Sequence, residues 1–404
     1  MRSMRATLPV SGALLLASGL RPRARAGTRL LSAVARSEAV APQNVLALDR
    51  AGLEDLLTSW GEPRYRAKQV HDWVYTKGQT EFALMTTLPK QLRERLEREA
   101  TVGSMSVALE QCSRDGTRKR LWKLHDDHLI ESVLMAYDDG RRTACISSQV
   151  GCAMGCTFCA TGQMGYRRQL SAGEIFEQAA HLAAELRAKD ERLSNVVFMG
   201  MGEPFRNFDA VVDAARRISK QLGIGARHIT ISTVGLAPEI RRFADVCASE
   251  SLELKLAISL HQSTDAARGA IMPVNRKYDL ATLLDACEYY VKVTRRRISF
   301  EWALIAGEND SVDEARRLAK MLKPLRGKAH INVIPLNPTR GYEGLPSAQS
   351  ARFVAELNLA GVPATVRTRR GIDIDAGCGQ LADAASKERR EAQREAAAVA
   401  AIEP

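Results

Sequence analysis

The chain has 404 residues, of which 45% are hydrophobic and 26% charged. That is globular composition, and it excludes a collagen, a disulfide-stapled miniprotein and a wholly disordered chain. Lys and Arg number 58 against 47 Asp and Glu, a formal charge of +11; charge alone is equally consistent with a polyanionic partner such as nucleic acid and with a basic, solvated surface.

The first 37 residues hold seven arginines and no acid. Leu8 to Leu20 is apolar enough for a signal-peptide core, with Ala24-Arg25-Ala26 as a cleavage site. The Arg-rich, acid-poor composition suits an organelle transit peptide as well, and a disordered extension is the plain alternative. Residues 1–43 are read as such an extension. It is too short to span a membrane, and no later stretch has the roughly 18 uninterrupted apolar residues a membrane helix needs.

From 44 to 102 the pattern is helical. Asp49 is placed to cap a helix bearing Leu53, Leu56, Leu57 and Trp60. Pro63 interrupts it, a second helix carries Val70, Trp73 and Val74, and a third carries Leu92 and Leu96. The expectation is a small basic module, either an RNA contact or a structural cap. Over 103–143 the period changes to short apolar runs broken by Asp115-Gly116, Asp126-Asp127 and Asp139-Gly140, which are hairpin signals. Two or three antiparallel strands are expected there.

From 144 to 383 apolar runs alternate with amphipathic helices. Strands are expected at 144–148, 195–201, 228–233, 254–260, 299–305, 330–335 and 364–368, with helices between them. About six β/α units argue an α/β fold with a parallel sheet buried on both faces. They are too few for a closed eight-fold barrel, so the fold class is a partial, open β/α barrel preceded by the helical module and the antiparallel segment. Ligands gather at the carboxyl ends of such strands. Residues 384–404 read as a charged tail.

Three of the eight cysteines fall within eight residues: Cys152, Cys156 and Cys159. The C-x3-C-x2-C spacing directly follows a strand. A tight cluster in a chain of enzyme size reads as metal or redox chemistry in a reducing compartment. Three thiolates suit an iron–sulfur cubane whose fourth iron stays open. The zinc alternative prefers two Cys pairs, or Cys with His, and His181 is the nearest downstream.

Phe158 before the last cysteine completes a resemblance to the radical S-adenosylmethionine (SAM) enzymes. The segments Cys145-Ile-Ser-Ser-Gln-Val-Gly-Cys152, Met199-Gly-Met-Gly-Glu-Pro204, Ser259-Leu-His261, Ile334-Pro-Leu-Asn-Pro338 and Asp373-Ile-Asp-Ala-Gly-Cys-Gly-Gln-Leu381 together resemble the bacterial adenine C2-methyltransferases of 23S ribosomal RNA and transfer RNA, over about 46–381. The resemblance implies a [4Fe-4S] cluster on Cys152, Cys156 and Cys159, and two SAM molecules per turnover. It implies SAM contacts at Gly202, Glu203, Ser232, Ser259, Leu260, His261 and Asn337. One SAM methylates Cys378. A second is reductively cleaved to a 5′-deoxyadenosyl radical that takes hydrogen from the S-methyl group, and the resulting carbon radical adds to adenine C2. Glu131 matches the proton acceptor, and Cys145 the thiol that resolves the adduct by forming a disulfide with Cys378. The partners implied are 23S-type ribosomal RNA, transfer RNA and an electron donor such as flavodoxin or ferredoxin, with no membrane and a monomeric chain. The place implied is the cytoplasm, or a plastid or mitochondrion if the N-terminus is a transit peptide. A C8-methylating sister family and a non-catalytic, zinc-containing RNA-binding protein are the alternatives. Arg367, Arg369 and Arg370 are the basic residues ranked first for RNA phosphates.

Overall fold

In the computed structural model, which describes residues 42–325, 327–339 and 341–382, Asp49 caps helix Arg50–Ser59 by accepting from the Gly52 N–H at 2.8 Å. Helices Tyr65–His71 and Lys90–Glu99 follow, with Leu53, Leu57, Val70, Leu92 and Leu96 all turned inward. Trp73 and Val74 lie in a π-helical turn, Asp72–Thr76, that extends the second helix. Most of the N-terminal extension, residue 383 and the charged tail at 384–404 lie outside the described residues.

The main sheet has ten strands: β1 Ser106–Cys112, β2 Arg118–Lys123, β3 Leu129–Ala136, β4 Arg142–Cys145, β5 Asn195–Phe198, β6 Ile229–Thr233, β7 Lys255–Ser259, β8 Ile298–Leu304, β9 Ala329–Pro335 and β10 Ala364–Val366. They lie side by side in chain order, from β1 at one edge to β10 at the other, so the sheet is open. Strands β4 to β10 are mutually parallel, and β1 to β4 antiparallel. This is an α/β architecture of the partial-barrel kind. The three antiparallel strands run straight on into the parallel sheet through the β3–β4 hairpin. Each hairpin tip holds a residue at positive φ, Gly116, Asp127 and Gly140, which is what Asp-Gly and Asp-Asp turns supply.

Burial is deepest at the centre of the parallel sheet: in β8 every residue but Ser299 is buried, while the edge strand β10 exposes Thr365 and Val366. Helices cover the parallel sheet, and their caps are written in the sequence. Ser171 and Glu174 form a capping box, Asp279 bonds the Thr282 N–H, and Ser311 bonds the Glu314 N–H. The sequence reading missed helix Asp265–Ile271. It is short, and its inward face carries Arg268, which breaks the apolar period.

One buried carboxylate ties the N-terminal region to the barrel. Glu177, on helix Ala172–Arg187 and wholly buried, accepts from the N–H groups of Ser104 and Met105 at 2.7 and 2.8 Å and from Asn44 Nδ2 at 3.2 Å. Burial alone raises its pKa, but bonds from His181, Met105 and Ser104 outweigh that and hold it below the usual value. Glu177→Ala orphans two main-chain donors, each costing roughly 1–3 kcal/mol. It should therefore lower stability by about 2–5 kcal/mol in urea denaturation, while a surface control such as Glu97→Ala stays near zero.

Candidate active site

Three features converge at the carboxyl ends of the parallel strands. The first is the cysteine loop. It leaves the short strand Gln149–Gly151, passes Cys152, Cys156 and Cys159, and returns through helix Ala160–Met164 to strand Tyr166–Gln169, antiparallel to the first. All three cysteines line one cavity. Burial raises all three thiol pKa values, Cys152 to about 12, and repulsion from neighbouring thiols adds to the rise. Thiols pushed this way are thiolates only when a cation meets them, so the donor set fits a metal cluster. Three soft thiolates that each meet a different iron suit an iron–sulfur cubane, whereas a structural zinc takes four protein ligands.

The second feature is the row of strand-end polar groups. Gly202, Glu203, Ser232, Ser259, His261 and Asn337 all line the same cavity. Gly202 has φ +102, and a Cβ there would lie 2.8 Å from the Gln149 backbone nitrogen, so no other residue fits without shifting that chain. Glu203 is buried, accepting from the N–H groups of Phe205 and Val234 at 3.0 and 2.8 Å. Burial pushes its pKa to about 7 against those bonds. His261, at φ +60, accepts the Ala303 N–H on Nδ1 at 2.9 Å. Burial drops its pKa to about 3; the ring is neutral with its proton on Nε2, a donor for the cavity. Asn337 donates to the Cys378 carbonyl at 3.0 Å, and its Oδ1 is buried with no partner. An orphaned acceptor facing this cavity fits a ligand that brings its own donor. Leu260 stands apart. Its side chain is in the core, its N–H bonds Glu301 O and its carbonyl accepts from Arg268, so it shapes the backbone between Ser259 and His261.

The third feature is the loop that carries Cys378. The Ala160 N–H bonds Gly379 O at 2.8 Å, Thr161 Oγ1 bonds Leu381 O at 2.6 Å, and the Ala382 N–H bonds Glu131 Oε2 at 2.9 Å. Cys378 is exposed and lines both the cysteine cavity and a second cavity that holds Cys145. Cys145 ends β4, paired with Val133 and Val197. Burial raises its pKa to about 12, the Cys378 sulfur adding to the effect and Arg367 opposing it. Glu131 lies on β3 on the same sheet face as Cys145, buried beneath this loop, with Lys119 Nζ 3.3 Å from Oε1. It is not among the residues of either cavity.

Sequence reasoning missed Glu301 and its pairing with Arg367. Glu301 is a buried acid in the middle of an apolar strand, bonded by Asn332 Nδ2 at 2.8 Å. Arg367 approaches it at 3.5 Å and lines both cavities, whereas Arg369 and Arg370 line the second alone. The neighbouring Cys378, then Glu301, hold its charge firmly in place. Arg268 was also missed. Fully buried, it donates to the carbonyls of Val234, Ser259 and Leu260 and so ties the ends of β6 and β7 together. Of the basic runs, Arg118 and Arg120 are engaged by Glu110 and Glu185, and Arg168 by Asp126 and Glu174.

An open parallel barrel with a three-cysteine loop at its mouth defines a radical SAM enzyme. Residues 146–319 match the radical SAM superfamily, and residues 43–102 the ribosomal RNA large subunit methyltransferase N-terminal domain. The chain is 44% identical to a probable dual-specificity RNA methyltransferase RlmN of Geobacillus thermodenitrificans, covering 86% of this chain and 94% of that protein. It is 47% identical to dual-specificity RNA methyltransferase RlmN 1 of Myxococcus xanthus, over 84% and 94%. A crystal structure of a radical SAM methyltransferase from Sphaerobacter thermophilus superimposes with a TM-score of 0.79 at 44% identity, over 84% of this chain and 99% of that one. The chain belongs to the RlmN family of radical SAM RNA methyltransferases. Its cofactors are accordingly SAM and a [4Fe-4S] cluster. No helix of the described residues is long and apolar enough to cross a membrane.

The pKa of Glu203 gives a pH test. The folded state holds its proton more tightly than the unfolded chain, so stability falls as pH rises between about 4.5 and about 7 and is then level. A shift of that size corresponds to about 3 kcal/mol. In urea denaturation of the cofactor-free protein, Glu203→Gln should match the wild type near pH 4.5 and exceed it by about this amount above pH 7. A constant difference between the two proteins across that range would show that Glu203 is ionised throughout.

Proposed function

We propose that the chain methylates C2 of adenine in 23S-type ribosomal RNA and in transfer RNA, consuming two SAM molecules per product. The observation that carries this reading is the position of Cys378 at the junction of two cavities, one lined by Cys152, Cys156 and Cys159, the other by Cys145. A sulfur placed there can be charged and activated from one side and relieved of its product from the other. Adenine C2 is an electrophilic carbon with no nucleophilic electron pair, so direct displacement on SAM fails there.

Cys152, Cys156 and Cys159 would hold the cluster, and Gly202, Glu203, Ser232, Ser259, His261 and Asn337 would hold SAM, with Leu260 setting the path of the backbone. Together the bound groups supply one-electron reductive cleavage of SAM to a 5′-deoxyadenosyl radical. Cys378 accepts the methyl group and presents it to adenine. Asn337, by bonding the Cys378 carbonyl, couples that presentation to the SAM end of the cavity. Glu131 is assigned the C2 proton. Its carboxylate now receives the Ala382 N–H, so release of that segment frees an oxygen for the base. Cys145 resolves the adduct: its sulfur attacks Cys378 sulfur, the S–S bond forms as the carbon–sulfur bond breaks, and the electron pair leaves with the carbon that becomes the methyl group. The electron donor is a flavodoxin or ferredoxin, and the protein works as a monomer.

Cys145→Ala tests the reading. Among the described residues it removes the only thiol sharing the second cavity with Cys378, so the chain should stall as a covalent protein–RNA adduct. The adduct should survive denaturation and disappear on nuclease treatment, as read by gel shift and mass spectrometry. Free protein with normal multiple turnover would make Cys145 a core residue and nothing more.

A further inference from the structure

The cavity of the three thiols adjoins a depression on the outer surface at one residue. Met154, within the cysteine loop, lines that cavity and also a separate depression on the outer surface, and it is the only described residue common to both. The depression shares no described residue with the cavity of Cys145 and Cys378. Behind it, Cys156, Ile271 and Met272 are buried against Met154 and Val274. Only apolar side chains separate the cysteine from the outside here.

The depression has an apolar floor, including Leu236, Pro273 and Val274, and a charged rim. Arg206 and Lys277 are exposed on the rim, and among the described residues neither makes an ion pair. The third cation, Arg242, is occupied by Asp209 and Glu239. Arg276, also exposed, adjoins on the turn Pro273–Arg276. The rim is therefore left positive around an apolar centre, the arrangement that steers and seats an acidic protein.

The reading above requires one electron from outside for each SAM cleaved, and tunnelling falls off steeply with distance. A carrier gains by docking where an outer depression and the cysteine cavity share a lining residue, as they do at Met154. We propose that this depression docks an acidic one-electron carrier protein, a reduced flavoprotein or iron–sulfur protein, which gives up one electron per SAM cleaved and departs oxidised by one electron. The proposal rests on the radical SAM reading. RNA is the poorer occupant, because the reacting Cys378 opens to a different cavity, beside Arg369. Carrier and RNA thus use separate mouths of the site.

The test uses the cluster-loaded protein and the double variant Arg206→Glu/Lys277→Glu, with reduced flavodoxin as the probe. Flavodoxin affinity, measured by calorimetry, should fall at least about tenfold, and the weakening of wild-type binding by salt should be lost. Flavodoxin-driven 5′-deoxyadenosine formation should fall in step. Cleavage driven by dithionite, which needs no docking, should be unchanged, as should RNA affinity. Unaltered flavodoxin affinity overturns the proposal, and so does lost RNA affinity with flavodoxin binding intact, which would make this an RNA surface. Absence of 5′-deoxyadenosine from the wild type with either reductant would instead overturn the radical SAM reading itself.

Discussion

The site depends on main-chain hydrogen bonds that pin one loop across the mouth of the barrel. Cys378 is more than 200 residues from the cysteine loop and from Cys145 along the chain, and no strand carries it. Bonds from Ala160 to Gly379, Thr161 to Leu381 and Asn337 to Cys378 bring it there. A further set holds the loop's near side. The turn of the β1–β2 hairpin clasps it through Asp115 to the Gly371 N–H at 2.9 Å and Asp373 to Ser113 Oγ at 2.5 Å. Each bond is worth only about 1 kcal/mol net, so the loop is held firmly as a set and released without unfolding the sheet. The proposed role of Cys378, which would receive a methyl group, meet a base and then bond a second cysteine, calls for that balance.

Burial then sets the chemistry inside. The thiols of Cys145, Cys152 and Cys156, and the carboxyl of Glu203, all have pKa values raised by desolvation. In a cavity of this kind, ionised groups persist only beside a partner. In the proposed function the loop thiols would be met by iron. For Cys145 the permanent cation is Arg367, itself anchored by Glu301. A guanidinium cannot lose its charge in a protein, so it opposes, without reversing, the desolvation that keeps Cys145 a neutral thiol, and it adds no group that titrates. Arg367 lines both the cysteine cavity and the cavity of Cys145.

The parts of this architecture that were legible in sequence are those that obey a period or a spacing. Strands buried on both faces are long apolar runs with polar ends, so 299–305 and 330–335 were placed within a residue of Ile298–Leu304 and Ala329–Pro335. The cysteine loop and the strand-end Gly202, Glu203 and Asn337 were legible because their neighbours in sequence form recognisable segments. Glu301 and Arg367 were not, for opposite reasons. Glu301 is a single acid in a strand where each neighbour is apolar, and Arg367 is one of three arginines in four positions. What distinguishes each is its pairing with the other across the β8–β10 region, which only the fold brings about. The continuity of the antiparallel strands with the barrel was hidden in the same way, since hairpin signals report a turn and not the next strand's neighbour.

The same sheet continuity explains why Glu131 and Cys145 come together on the antiparallel side. Strand β3 faces β4, with Val133 opposite Cys145, so Glu131 and Cys145 share the face turned toward the Cys378 loop. The cluster thiols arrive from the loop after β4, and the SAM contacts from the ends of β5 to β9. An open barrel leaves room for the β1–β4 extension to close one side of the mouth, which a complete ring of eight parallel strands would occupy with its own first and last members. The open edge is therefore what would allow, in the proposed function, one half of the sheet to hold the cofactors and the other to handle the protein-bound methyl group, with Cys378 lining the cavities of both.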